Sequence, residues 1–267
     1  MTTLGLIKSC YKANNLDHLH KRLLGLEKAG YITRKFVGDE EIQGWILTKK
    51  GFKEIIEELP NLKAESYKPT HGFHDLYATA FHLGDWFRQT PKNAQLITER
   101  ELRCLDKRNL PKEVPISQNH IPDGITIIDN GDKKVIVGFE LELNSKLIYR
   151  YEPIAGYYGS QRFENVFWCV ENPRLAQNII DAARREIGDG FKIHNFILFN
   201  EFIKLSWDAK IVAGNMKNDT IRAALTRLSH GEDTVEPRHK NENWLLCTMK
   251  SPRTLRPYND KRKTKTA

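Results

Sequence analysis

The sequence predicts a mixed α/β (α+β) protein in two parts, a small unit of two helices around two strands and a larger mixed-sheet domain. Three observations carry that prediction. Leu16, Leu19, Leu23 and Leu26 recur at helical spacing and stop at Gly30, after which "YITRKFV" and "GWILT" read as short strands. "DNGD" is a strong turn signal between the β-branched runs "ITII" and "KVIVGF". Beyond it, the strand-like "NVFWCVEN" and "FKIHNFILFNEF" alternate with the helical "PRLAQNIIDAARREI", a pattern of helices interleaved among strands.

The first unit covers residues 1–62. Its order is a helix, two strands joined by the turn-rich "GDEEIQ", and a helix from Gly51 to Leu59, which is the winged helix-turn-helix pattern. The recognition helix would begin near Asn15. Its N-terminal half would face the major groove and put Asn14, Asn15, His18, Lys21 and Arg22 at or near DNA. A unit of this kind can instead mediate dimerisation or pack on the next domain, and the helix that usually precedes the motif is missing or very short here. "HLH" at residues 18–20 has the letters of a His-hydrophobe-His metal motif, but it falls in a helix rather than a strand and is set aside. Residues 63–69, inside the polar, proline-bounded "PNLKAESYKP", read as a linker.

The second domain spans residues 70–250. "HGFHDLYATAFHLGDWFRQ" places Leu76, Ala80, Leu83 and Phe87 on one helical stripe, and "NAQLITERELRCLDK" gives a short strand and a helical turn capped by Thr98. After the "DNGD" hairpin, "SKLIYRYEPIAGYYGSQ" reads as a helix, followed by a strand, a helix and a strand. Residues 251–267 form a tail with six basic residues and one acid, expected to stay disordered until it meets phosphate.

Composition narrows the function. The longest apolar stretches fall far short of the ~20 residues a membrane-spanning helix requires, and the N-terminus lacks a signal peptide's apolar core. The expectation is a soluble, cytoplasmic protein with no membrane partner. Four cysteines stand singly, with no CxxC pair, so neither a zinc ribbon nor a disulfide framework is indicated. A formal charge of +8 and a pI near 9.2 favour a polyanionic partner.

Chemistry concentrates in "PDGITIIDNGDKKVIVGFELELNSK", which holds Asp123, Glu140, Glu142 and Lys146. A loop of even length centred on Asn130 and Gly131 sets Asp123 opposite Gly138 and diagonal to Glu140. Slipping the centre one residue towards the C-terminus sets Asp123 directly opposite Glu140. Either register gathers both carboxylates and Glu142 on one face, with Phe139, Leu141 and Leu143 on the other, whereas a loop of odd length would flip the relationship. Three carboxylates so close repel one another unless they are solvated or hold a cation. A hairpin whose polar face is simply wet is one reading. The other is a centre of oxygen ligands for Mg²⁺ or Mn²⁺, the chemistry of phosphodiester cleavage, with Lys146 stabilising charge from the side.

At these residues the chain resembles the PD-(D/E)XK nuclease superfamily, whose hallmark is an aspartate opening one strand and an acid-x-lysine on the next. Pro122, Asp123 and Glu140 match, while Glu142 stands where lysine is usual. The wider pattern of a winged helix, "HDLYATAFHL", "ITEREL", "IPDGI", "FELELNSK" and "RYEPIAGYY" is similar to plasmid replication-relaxation proteins and MOBC-type mobilisation relaxases over roughly residues 10–200. The resemblance implies a restriction-endonuclease-like domain that nicks one DNA strand at a plasmid transfer origin, alongside an accessory mobilisation or coupling protein. It implicates Asp123, Glu140 and Glu142 as metal or water-activating carboxylates, Lys146 as charge stabiliser and Glu99 as a further acid. His71 and His74 fall in the matching block as caps, packing residues or ligands. Tyr149, Arg150, Tyr151, Tyr157 and Tyr158 follow the acids, where Arg150, Tyr151 and Tyr158 would contact DNA by stacking or through phosphate. The tyrosines would otherwise be core, and one of them could instead serve as a covalent nucleophile. An inactive nuclease-like DNA-binding protein is the alternative, and cleavage of both strands a third.

Overall fold

The computed structural model describes residues 16–37, 42–55, 72–87, 90–104, 109–115 and 120–229. Asn14, Asn15, His71, the side chain of His18, the linker and the basic tail lie outside them. The N-terminal unit consists of α1 (Leu16–Lys28), β1 (Ile32–Val37), β2 (Ile42–Leu47) and α2 (Lys49–Ile55). Gly30 takes φ 79° as α1 ends, and the Tyr31 N–H donates to the Leu26 carbonyl at 3.0 Å, a left-handed closure that favours glycine. β1 and β2 pair antiparallel, Ile32 opposite Leu47. The Thr48 hydroxyl then accepts the Gly51 N–H at 3.1 Å and starts α2. Leu23 is buried but Leu26 is exposed, so only part of the expected leucine stripe packs. Lys21 and Arg22 are exposed on α1.

The larger domain runs α3 (Gly72–Leu83), β3 (Ala94–Thr98), α4 (Glu99–Cys104), β4 (Gly124–Asp129), β5 (Lys134–Glu142), α5 (Glu152–Ser160), β6 (Phe163–Val170), α6 (Pro173–Ile187), β7 (His194–Leu198), α7 (Phe199–Leu205), β8 (Ile211–Ala213) and α8 (Ile221–Leu228). Its six strands form one mixed sheet in chain order, β3 to β8. β5, β6 and β7 are parallel and the other neighbours antiparallel. Parallel neighbours need a crossover, which α5 and α6 supply. Apolar clusters cover both faces. One joins Tyr77, Phe81 and Trp86 to Phe139, Phe202 and Trp207, and the other joins Ile125 and Ile136 to Tyr158, Trp168 and Ile179. A mixed sheet between helical layers results.

Thr98 caps α4 as its spacing suggests. Its hydroxyl accepts the Glu101 N–H at 3.3 Å while Glu101 accepts the Thr98 N–H at 2.8 Å, a reciprocal capping box. Two expected elements differ. "FKIHNFILFNEF" is strand only over His194–Leu198, because Phe199, Phe202 and Ile203 recur at helical spacing and α7 buries Phe202 against Phe81. The helix expected across "SKLIYRYEP" begins only at Glu152, after a 3₁₀ turn at Ile148–Arg150. Pro153 lacks an N–H and fits only the first turn of a helix. Among the described residues, no helix is long and apolar enough to cross a membrane.

Candidate carboxylate centre at the open end of the hairpin

Pairing between β4 and β5 runs from Asp129 opposite Lys134 to Gly124 opposite Phe139, around the four-residue loop 130–133. The Asn130 side chain accepts the N–H groups of Asp132 and Lys133 at 3.2 and 2.9 Å, and Gly131 takes φ 86°, which fixes the even-length turn. This is the slipped register. Carried one residue further, it sets Asp123 opposite Glu140.

Of the two readings of the acids, the wet polar face does not hold. Glu140 and Glu142 are only 7% and 6% exposed, because the crossover helix α5 and its tyrosines cover the side of the sheet they occupy. The Tyr158 hydroxyl donates to Glu140 Oε1, and His120 Nε2 lies 2.6 Å from the same oxygen. Asp123 Oδ2 accepts the Leu141 N–H at 2.7 Å. His74 Nε2 lies 2.9 Å from the Leu141 carbonyl oxygen and 3.7 Å from Asp123 Oδ2. Burial first, and then the charge of Glu140, push the Asp123 carboxyl well above its ordinary range, with Glu99 adding and Lys146 opposing. Burial and Glu140 likewise drive the Tyr158 hydroxyl well up.

Glu142 is paired with Lys146, whose ammonium offsets part of the upward push of burial on that carboxyl. The Lys146 backbone N–H donates to the Tyr151 hydroxyl at 2.8 Å. Glu99 is held by Arg103, with 2.6 Å between Oε1 and Nη2. Burial, followed by the charge of Glu99, raises Asp75 on α3 to about 6. Acids from α3, α4, β5 and the position just before β4 therefore sense one another, although Glu99 and Glu142 are each matched by a cation.

Tyr151 and Tyr158, expected at the DNA, are fully enclosed, so neither offers a ring face to a base. Tyr157 is buried too, and its hydroxyl donates to the Pro115 carbonyl at 3.1 Å. Tyr149 and Arg150 stand at the surface. His120 and Asp75 escape sequence reasoning. Asp75 is one more polar position on an amphipathic helix, and His120 lies in an aperiodic loop whose only signal is its place two residues before Pro122.

Among the described residues, no three Asp, Glu, His or Cys side chains stand close enough to hold a metal ion together. Within the same set, Asp123 Oδ1 and Glu140 Oε2 carry no hydrogen bond, because the bonds above all fall on the other oxygen. Two hard carboxylate oxygens suit Mg²⁺ or Mn²⁺, ions that keep several waters. The Glu142 and Glu99 carboxylates, expected to join them, face Lys146 and Arg103 instead. No family model matches the sequence, and neither a curated protein nor a solved structure matches the chain.

Proposed function

We propose that this protein binds DNA and cleaves a phosphodiester bond at the Asp123–Glu140 centre, with Mg²⁺ or Mn²⁺ as cofactor. The observation that carries the reading is a facing pair of largely buried carboxylates, one just before β4 and one on β5. Burial and like charge both disfavour such a pair unless a proton or a cation neutralises it. Asp123 and Glu140 would hold a divalent ion there, and it would supply Lewis-acid polarisation of the phosphodiester and activation of water.

The remaining steps belong to the chain. The Leu141 N–H holds one Asp123 oxygen, and Tyr158 with His120 holds one Glu140 oxygen, which fixes both carboxylates for the ion. Lys146 sits where it already lowers the Asp123 carboxyl, and its charge offsets that developing on the leaving oxygen. In the winged-helix reading of the N-terminal unit, the exposed Lys21 and Arg22, with Asn14, Asn15 and His18, grip duplex DNA. The resemblance to PD-(D/E)XK nucleases and MOBC-type relaxases extends the proposal to nicking one strand at a plasmid transfer origin, with an accessory mobilisation or coupling protein as partner.

Supercoiled plasmid incubated with Mg²⁺ or Mn²⁺ tests this. Wild-type protein yields the nicked circle, while Asp123→Ala and Glu140→Ala lose nicking and keep DNA binding. Wild-type binding without nicking in either metal overturns the enzyme reading. It would favour the second reading, an inactive nuclease-like DNA-binding protein, which the Glu142–Lys146 pair at the usual lysine position supports. Linear product would point to cleavage of both strands.

A further inference from the structure

The segment between β5 and α5 runs directly out of the carboxylate centre. Two residues tie it down. Ile148 packs against the apolar cluster beneath α5 and α6, and Tyr151 is fully buried with its hydroxyl on the Lys146 N–H. Between them a 3₁₀ turn is closed by the Arg150 and Tyr151 N–H groups, which donate to the Leu147 and Ile148 carbonyls at 2.9 Å. With residues 148 and 151 turned inward, Leu147, Tyr149 and Arg150 are turned out.

Leu147 is 66% exposed and Tyr149 64%, more than any other large apolar side chain among the described residues. An aliphatic and an aromatic side chain held this far into water add nothing to the core, and their backbone is braced in place. Their neighbours Lys146 and Arg150 are cations, and Lys146 reaches back to Glu142. An aromatic plane flanked by positive charge matches a base and its phosphates. Bases in a duplex keep their faces stacked on one another, so only an unpaired base can lie on this plane.

We propose that Tyr149 and Leu147 form a stacking platform for an unpaired base of a DNA strand, with Arg150 on an adjoining phosphate. The centre then acts on single-stranded or locally opened DNA. The substrate rests on the nuclease reading above, whereas the binding surface can be measured apart from it.

The test is fluorescence anisotropy of the full chain with a labelled single strand of about 12 nucleotides, and with its duplex, in EDTA. Tyr149→Ala weakens single-strand binding roughly tenfold and leaves duplex binding unchanged, while Tyr149→Phe, which keeps the ring, stays within about twofold of wild type. Arg150→Ala lowers the salt dependence of single-strand binding by about one phosphate contact. Equal binding by wild type and Tyr149→Ala overturns the platform, as does absence of single-strand binding by wild type. A fall in Tyr149→Phe as large as in Tyr149→Ala assigns the effect to the hydroxyl and overturns stacking. Plasmid nicking with Mg²⁺ is scored separately. A failed nuclease reading leaves wild type unable to nick with these binding differences intact, whereas a failed platform leaves nicking intact with no binding difference.

Discussion

The two ends of the β4–β5 hairpin treat charge in opposite ways. At the turn, Lys133 reaches Glu164 at 2.7 Å and Lys134 reaches Glu113 at 2.8 Å, all at the surface or half-buried. The hydrogen bond from Lys134 holds the Glu113 carboxyl below its ordinary range. At the open end, Asp123 and Glu142 are driven upward by burial, and the charge of the facing Glu140 pushes Asp123 further in the same direction. Water screens the first set, so each pair matters little. Burial and like charge in the second set oppose folding, which makes it the candidate functional centre of the proposed reading.

Substitutions at the two ends should separate accordingly. On the proposed nuclease reading the largest effect is on activity: Asp123→Ala should lower plasmid nicking on the order of a thousandfold, read from initial rates with Mg²⁺. Next is Tyr158→Phe, which removes a hydrogen bond to a buried carboxylate. It lowers stability by about 1.5–3 kcal/mol in urea unfolding and nicking by roughly 10- to 100-fold.

A smaller, pH-dependent effect belongs to Asp75. Its folded pKa of about 6 lies above the ordinary 3.8, so the folded chain binds its proton more tightly. That contribution is complete below the unfolded value and is lost as pH rises through about 6. Asp75→Asn should therefore stabilise the protein by roughly 1–2 kcal/mol above that window and hardly at all below it. His82 and His194 act in reverse. Burial lowers both to about 4, so their contribution is present above 6.5 and lost as pH falls through 4. Urea titrations of wild type and Asp75→Asn across this range distinguish the two trends. The smallest effect is at the turn, where Lys134→Ala leaves the urea midpoint unchanged.

Local chemistry was legible in the sequence and enclosure was not. "DNGD" announced a turn but not its length, and the even length that pairs Asp129 with Lys134 gathers Asp123 with Glu140. Thr98 and Glu101, and the stop at Gly30, are equally local signals. Burial of Glu140 depends on Tyr158 arriving from 18 residues away and packing edge-on to Phe163 at 4.7 Å. No periodicity in the β5 segment encodes that. The same gap explains the tyrosines: the helix pattern allowed either face, and packing turned Tyr151 and Tyr158 inward and left Tyr149 out. "NFILFNEF" was ambiguous because a continuous apolar run reads equally as buried strand or buried helix.

Asp123→Asn tests the central claim most directly. The amide oxygen can still accept the Leu141 N–H, so shape and one hydrogen bond survive while the charge opposite Glu140 is lost. Urea unfolding at about pH 8 should show the variant more stable than wild type by about 1 kcal/mol, with plasmid nicking abolished. A variant that is less stable than wild type and still nicks would contradict the account, because the acid would then be structural.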